Sequence, residues 1–127
     1  MRVLVVDGAN VVGSRPDGWW RDRPGAARRL HAALVAADLP AALALDEVVL
    51  VLEGAARRGV AAGVEDGVRT THASGSGDDA VVATVTDLAT GRPGDDVTVV
   101  TADRGLRARV EAAGGRCQGP SWLLELL

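Results

Sequence analysis

The segment Arg2 to Asp7, RVLVVD, constrains the fold more than any other, because it is a short Val/Leu run with no alternation of polar and apolar positions. A strand of this kind is buried on both faces, which requires helices above and below a parallel sheet. Asp46 to Glu53 (DEVVLVLE) is a second such run, and Asp96 to Thr101 (DVTVVT) a third strand. Val68 to Ala73 and Arg116 to Gln118 read as shorter ones. Between them lie helical stripes: Leu30, Leu34 and Ala37 in Gly25 to Asp38, with Pro40 helping to end the element; Val81, Val85 and Leu88 after Asp78; Leu106, Val110 and Ala113 after Asp103. A last helix starts at Pro120. Gly8 to Pro24, rich in Gly, Arg and Trp, carries no sustained period and reads as an irregular, functional loop. The stretch Gly54 to Asp66 gives little signal. Alternating strands and helices imply a three-layer α/β fold with a mostly parallel sheet of about five strands, and 127 residues fit one domain, residues 1–127.

In such sheets ligands bind beyond the carboxyl ends of the strands. The acidic residues follow that rule: Asp7 ends the first strand, Glu53 the second, Asp103 follows the strand ending at Thr101, and Asp78-Asp79 opens a helix after a Gly/Ser turn. Carboxylates gathered at one rim repel one another unless a cation neutralises them. Clustered oxygens with open water positions suit Mg²⁺ or Mn²⁺, which can activate a water and stabilise the leaving oxygen of a phosphodiester. Asp78 is equally a helix N-cap in sequence terms, Asp103 a helix start, and Asn10, the only Asn of the chain, a turn residue. The order of the three blocks, DGxN, GDD and TAD, is what favours the catalytic reading.

The chain has 14 basic residues, all Arg, and 17 acidic ones, a net charge of −3, which excludes coating of nucleic acid by bulk attraction. With Asp7, Asp78, Asp79 and Asp103 neutralised by metal the remainder is −3 + 4 = +1, so a polyanionic substrate is admissible. Arg15, Arg21, Arg23, Arg28 and Arg29 cluster in or just after the first loop, where Trp19 and Trp20 either stack on unpaired bases or pack the loop onto the domain. His72 lies near the rim, His31 inside the first helix. Thr101 offers a hydroxyl behind the carboxylates. The lone Cys117 excludes a disulfide framework and a multi-cysteine zinc site, and is expected to be a small buried residue. No apolar run is long enough for a membrane span or a signal-peptide core, so a cytoplasmic protein with no membrane partner is expected.

VVDGANVVG (Val5 to Gly13), GDDAVVATV (Gly77 to Val85) and VTVVTADRGLR (Val97 to Arg107) resemble, in order and spacing, the motifs of the NYN domains of the PIN-like nuclease superfamily, and within them the bacterial YacP-like group. The resemblance implies a PIN-like fold and an endoribonuclease using Mg²⁺ or Mn²⁺ on single-stranded RNA; the ribosome is a separate candidate partner. Carried over by position, Asp7, Asp79 and Asp103 would ligate metal, Asp78 would be an additional acidic group, and Asn10 would orient Asp7 or the attacking water. From the residues' own chemistry, not the resemblance, Thr101 and Glu53 are expected to support these groups, and Arg15, Arg21, Arg23, Arg104, Trp19 and Trp20 to meet substrate. Glu53 stands where relatives often carry Asp. A receiver domain needs a Lys that is absent, a haloacid-dehalogenase phosphatase needs a second Asp where Ala9 stands, and there is no Walker sequence. Two rivals stay in play: a PIN-like domain without turnover that binds RNA or the ribosome, and a toxin-type PIN ribonuclease.

Overall fold

The three strongest apolar runs become neighbouring strands at the centre of one sheet. In a computed structural model that describes residues 1–89 and 91–127, β1 (Arg2–Asp7) pairs in parallel with β2 (Glu47–Leu52) on one side and β5 (Asp96–Val100) on the other. Beyond β2 lies β4 (Val68–His72), also parallel, and beyond β5 lies β6 (Arg116–Gln118). A three-residue strand, β3 (Gly63–Glu65), adds antiparallel to β4 and completes the order β3-β4-β2-β1-β5-β6. The sheet therefore has six strands rather than about five. The extra one is the fully exposed β3, whose residues carry no apolar pattern to betray it.

Val3 and Val5 of β1 face one layer of helices, Leu4 and Val6 the other, and all four are at most 2% exposed. That double burial is why the run lacks alternation. One face is covered by α1 (Gly8–Gly13), α2 (Arg23–Ala37), α3 (Leu39–Ala42) and α6 (Pro120–Leu124), through Val11, Leu30, Leu34, Leu39 and Leu123. The other is covered by α4 (Gly77–Leu88) and α5 (Arg104–Ala112), through Val81, Val85, Leu106 and Val110. The result is the expected three-layer α/β sandwich. Among the described residues no helix is long and apolar enough to cross a membrane.

Two local expectations are corrected. Gly8 to Pro24 is not irregular throughout: α1 occupies its start, with the Asp7 carboxylate accepting from the Asn10 N–H as its N-cap, and Trp19–Arg21 forms a 3-10 turn. Nor does Pro40 end the long helix. α2 ends at Asp38, which takes a left-handed conformation (φ 46°), and Pro40 sits in the first turn of α3, where its missing N–H costs nothing. Residues 54–66 also gain definition, since Gly54–Arg58 is a 3-10 turn packed against the start of α2. Gly59 permits that approach, because a Cβ there would collide with the Pro24 carbonyl.

Candidate active site

Strand order reverses at β1, with β2 and β4 laid down on one side and β5 and β6 on the other, so the loops leaving β1 and β5 diverge to opposite faces. The crevice at such a switch point is the common ligand site of open α/β sheets. Asp7 ends β1 there and is only 4% exposed. Its Oδ2 accepts from the Thr101 hydroxyl at 2.9 Å and its Oδ1 from the Asn10 N–H at 3.5 Å. Thr101 Oγ1 in turn accepts from the Asp103 N–H at 3.2 Å, and Asp103 Oδ1 accepts from the Leu106 N–H at 2.8 Å, capping α5. Asn10 closes the circuit: its Oδ1 accepts from the Ala102 N–H at 2.9 Å. The loops after β1 and β5 are thus laced together by one Asn, one Thr and two Asp.

The α4 side is tied in by Glu53, whose Oε2 accepts from the Gly77 N–H at 2.7 Å. Ser76, not Asp78, is the N-cap of α4, accepting from the Asp79 N–H at 3.1 Å. This sets the phase of the helix and separates the two acidic residues that open it. Asp78 shares the field of the rim: burial, then Asp103 and Glu53, raise its pKa, while Arg109 draws it back. Asp79 points elsewhere, three-quarters exposed, with its Oδ1 held by Arg109 Nη2 at 2.9 Å. That hydrogen bond, followed by the one from Ser76 and the Arg109 charge, lowers its pKa. Adjacent residues on a helix are about 100° apart, so one carboxylate faces the rim and the other leaves it. Asp79, the expected ligand, is the one that leaves.

Asp7 is pushed up to about 6, chiefly by burial and further by the charges of Asp78 and Glu53, against the lowering effect of the Thr101 and Asn10 hydrogen bonds. Among the described residues no cationic side chain pairs with it, and no three His, Cys, Asp or Glu side chains stand close enough to cage an ion by themselves. All the donors at the rim are hard carboxylate oxygens. That chemistry fits Mg²⁺ or Mn²⁺ held by one or two carboxylates with water filling the rest of the shell. It does not fit a closed all-protein site.

The residues expected to meet substrate divide. Trp19 and Arg23 line a cleft that also touches Gly8 and Glu53, with the Arg23 guanidinium 5.2 Å from the Trp19 ring centre. Trp20, 54% exposed, packs edge-on against Trp19 and carries Arg21 at 5.7 Å. Arg104 is exposed in the first turn of α5, beside Asp103. Arg15 lies apart, in a shallow depression with Leu124 and Leu127. His72 bonds the Val60 carbonyl at 2.7 Å and His31 is buried 4.0 Å from Glu65. Cys117 is only partly buried, its Sγ 3.9 Å from the Arg107 carbonyl. Sequence reasoning missed Arg109: nothing in its spacing marks it as the partner of a carboxylate thirty residues earlier.

No protein-family model matches this sequence, and no curated protein matches it. Solved structures do. The chain is similar to Rae1 (YacP) from Bacillus subtilis, with a TM-score of 0.72 and 18% identity over 98% of this chain and 72% of that one. A mutant of the same protein gives a TM-score of 0.67 and 19% identity over 98% and 74% of the two chains. The fold is therefore the PIN-like, YacP-type fold that the three motifs had suggested.

Proposed function

We propose that the chain is a Mg²⁺- or Mn²⁺-dependent endoribonuclease that hydrolyses phosphodiester bonds of single-stranded RNA at the rim formed by Asp7, Asp78, Asp103 and Glu53. The observation that carries this reading is Asp7: a carboxylate 4% exposed, with a pKa near 6, facing other carboxylates and no cation among the described residues. Such a group is a standing cost to the fold unless it has a use. The resemblance of the three motifs to the YacP-like nucleases and the likeness of the fold support the same reading.

In this proposal Asp7 and Asp78 would hold the ion, Asp78 replacing Asp79 in that role, and Asp103 would reach it through water. When bound, the ion supplies counter-charge for the phosphodiester and an activated water as nucleophile. The chain's own residues supply placement. Thr101 fixes the Asp7 carboxylate, Asn10 keeps the two loops in register, and Glu53 anchors the helix start that carries Asp78. Arg21, Arg23 and Arg104 would take flanking phosphates, as Arg does wherever a fork of donors meets phosphate oxygens. The second reading, an RNA-binding module without turnover, draws on the lack of a closed three-carboxylate cage among the described residues.

The test is cleavage of a labelled, unstructured RNA with Mg²⁺, with Mn²⁺ and with EDTA. Cuts are expected only in metal-loaded wild type, lost in Asp7→Asn and Asp78→Asn and reduced less in Asp79→Asn. Silence of the folded wild type with both metals would leave the binding module as the better reading.

A further inference from the structure

Beside the rim, on the α2 side of Glu53, the surface opens into a cleft of about 450 Å³, within the roughly 300–1,000 Å³ of ordinary small-molecule sites. Val12, Leu52, Ala56 and Trp19 give it an apolar lining, to which Arg23 and Glu53 add charged groups. Trp19 is half-buried and is held by two contacts: Trp20 packs against it at 5.9 Å with the ring planes at 89°, and Arg23 lies over its face. The cleft borders Gly8, the residue after Asp7, and Gly75, two residues before α4 begins. Glu53 belongs to both the cleft and the rim, its Oε2 being spent on the Gly77 N–H.

The cleft adjoins the rim through Glu53 and through Gly8, the residue after Asp7. An apolar cleft lined by an indole and an arginine matches one planar base with its phosphate, since aromatic rings stack on any base and arginine pairs the anion. We infer that the cleft takes one unstacked nucleobase of the strand cut at the rim, with Trp19 as the stacking wall. This inference rests on the nuclease reading. It supplies the physical reason for a single-strand requirement: a base in a helix is paired and stacked, and entering the cleft means leaving both partners. Trp20, more exposed and outside the cleft, serves to hold Trp19.

The test places 2-aminopurine at each position in turn of a short single-stranded RNA and reads its fluorescence on binding to Asp7→Asn protein with Mg²⁺. Quenching is expected at one position, next to the bond that wild type cuts. Adding Trp19→Ala should abolish it and weaken binding by about 5- to 150-fold, the range that follows from loss of one base stack, while Trp19→Phe restores it. Equal quenching at every position, or quenching untouched by Trp19→Ala in a protein of unchanged melting temperature, would overturn the assignment. The two readings fail separately: a wild type that cuts RNA but shows no position-specific quenching sinks the cleft alone, whereas position-specific quenching without cutting upholds the cleft and sinks the nuclease.

Discussion

Burying a carboxylate at the end of a central strand raises its pKa, and the rise is a statement about stability. Asp7 is at about 6 in the folded chain against 3.8 as a free group. The folded state therefore binds this proton more tightly than the unfolded one, and the corresponding stability is present below pH 3.8 and lost as the pH climbs to 6. At pH 7 without metal the charged form costs about 3 kcal/mol, from roughly two units at 1.36 kcal/mol each. Asp7→Asn keeps an oxygen for the Thr101 hydroxyl and removes the charge. In EDTA it should be more stable than wild type at pH 7 by up to that amount and should match it near pH 4. Urea unfolding at both pH values checks this. Equal differences between the two proteins at both would mean that Asp7 is not the strained group. The sequence showed which residue this would be, since a strand-terminal Asp after a run buried on both faces has few other places to go. It pointed to Asn10 and Thr101 as supports of Asp7, but not to the Thr101–Asp7 and Ala102–Asn10 bonds, because those join loops more than ninety residues apart.

At the scale of elements, the start of α4 decides which acidic residue serves the rim. Two of its orphan N–H groups are taken by Ser76 and Glu53, and with Ser76 as N-cap the helix begins at Gly77. Ser76→Ala should cost about 1 kcal/mol of unfolding free energy, the usual worth of a serine cap. It should also lower RNA cleavage beyond what lost folded protein explains, because the freed first turn no longer fixes Asp78. Denaturant titration beside the cleavage rate of fully folded enzyme separates the two. Ser76→Asp, an alternative cap, should recover the stability. The phase of this helix was not legible in the sequence, where Ser76 and Asp78 are both good caps; one turn residue makes the difference between Asp78 and Asp79 at the site. The long elements were legible because their apolar stripes and runs repeat several times. α1 was not, since it is six residues that begin and end with glycine, Gly8 and Gly13, a poor helix former, and it stands because Asp7 caps it and Val11 is buried. β3 was not, because backbone pairing to β4, rather than side-chain pattern, makes it a strand.

Across the whole molecule, a net charge of −3 sets up a weak overall repulsion of RNA, so attraction has to be local. The structure distributes charge that way. Arg21 and Arg23 lie over the two indoles on one bank of the cleft. In a separate depression beside His72, Arg57 braces the 54–58 turn through the Gly54 and Ala73 carbonyls, and Arg58 is exposed beside it. Arg2 and Arg116 sit at the opposite ends of their strands, near Asp96. A pair of double variants separates local contact from overall field. Arg21→Ala with Arg23→Ala and Arg2→Ala with Arg116→Ala each make the net charge more negative by the same two units. If the first pair contacts phosphates, its loss should reduce the slope of log affinity against log salt by about 1.4, at roughly 0.7 per phosphate contact on single strands. The second pair removes no contact and should leave the slope unchanged, with only a small uniform loss at low salt. Equal changes in slope would mean that RNA responds to the total charge of the molecule, and the arginines beside Trp19 and Trp20 would then be ordinary surface groups.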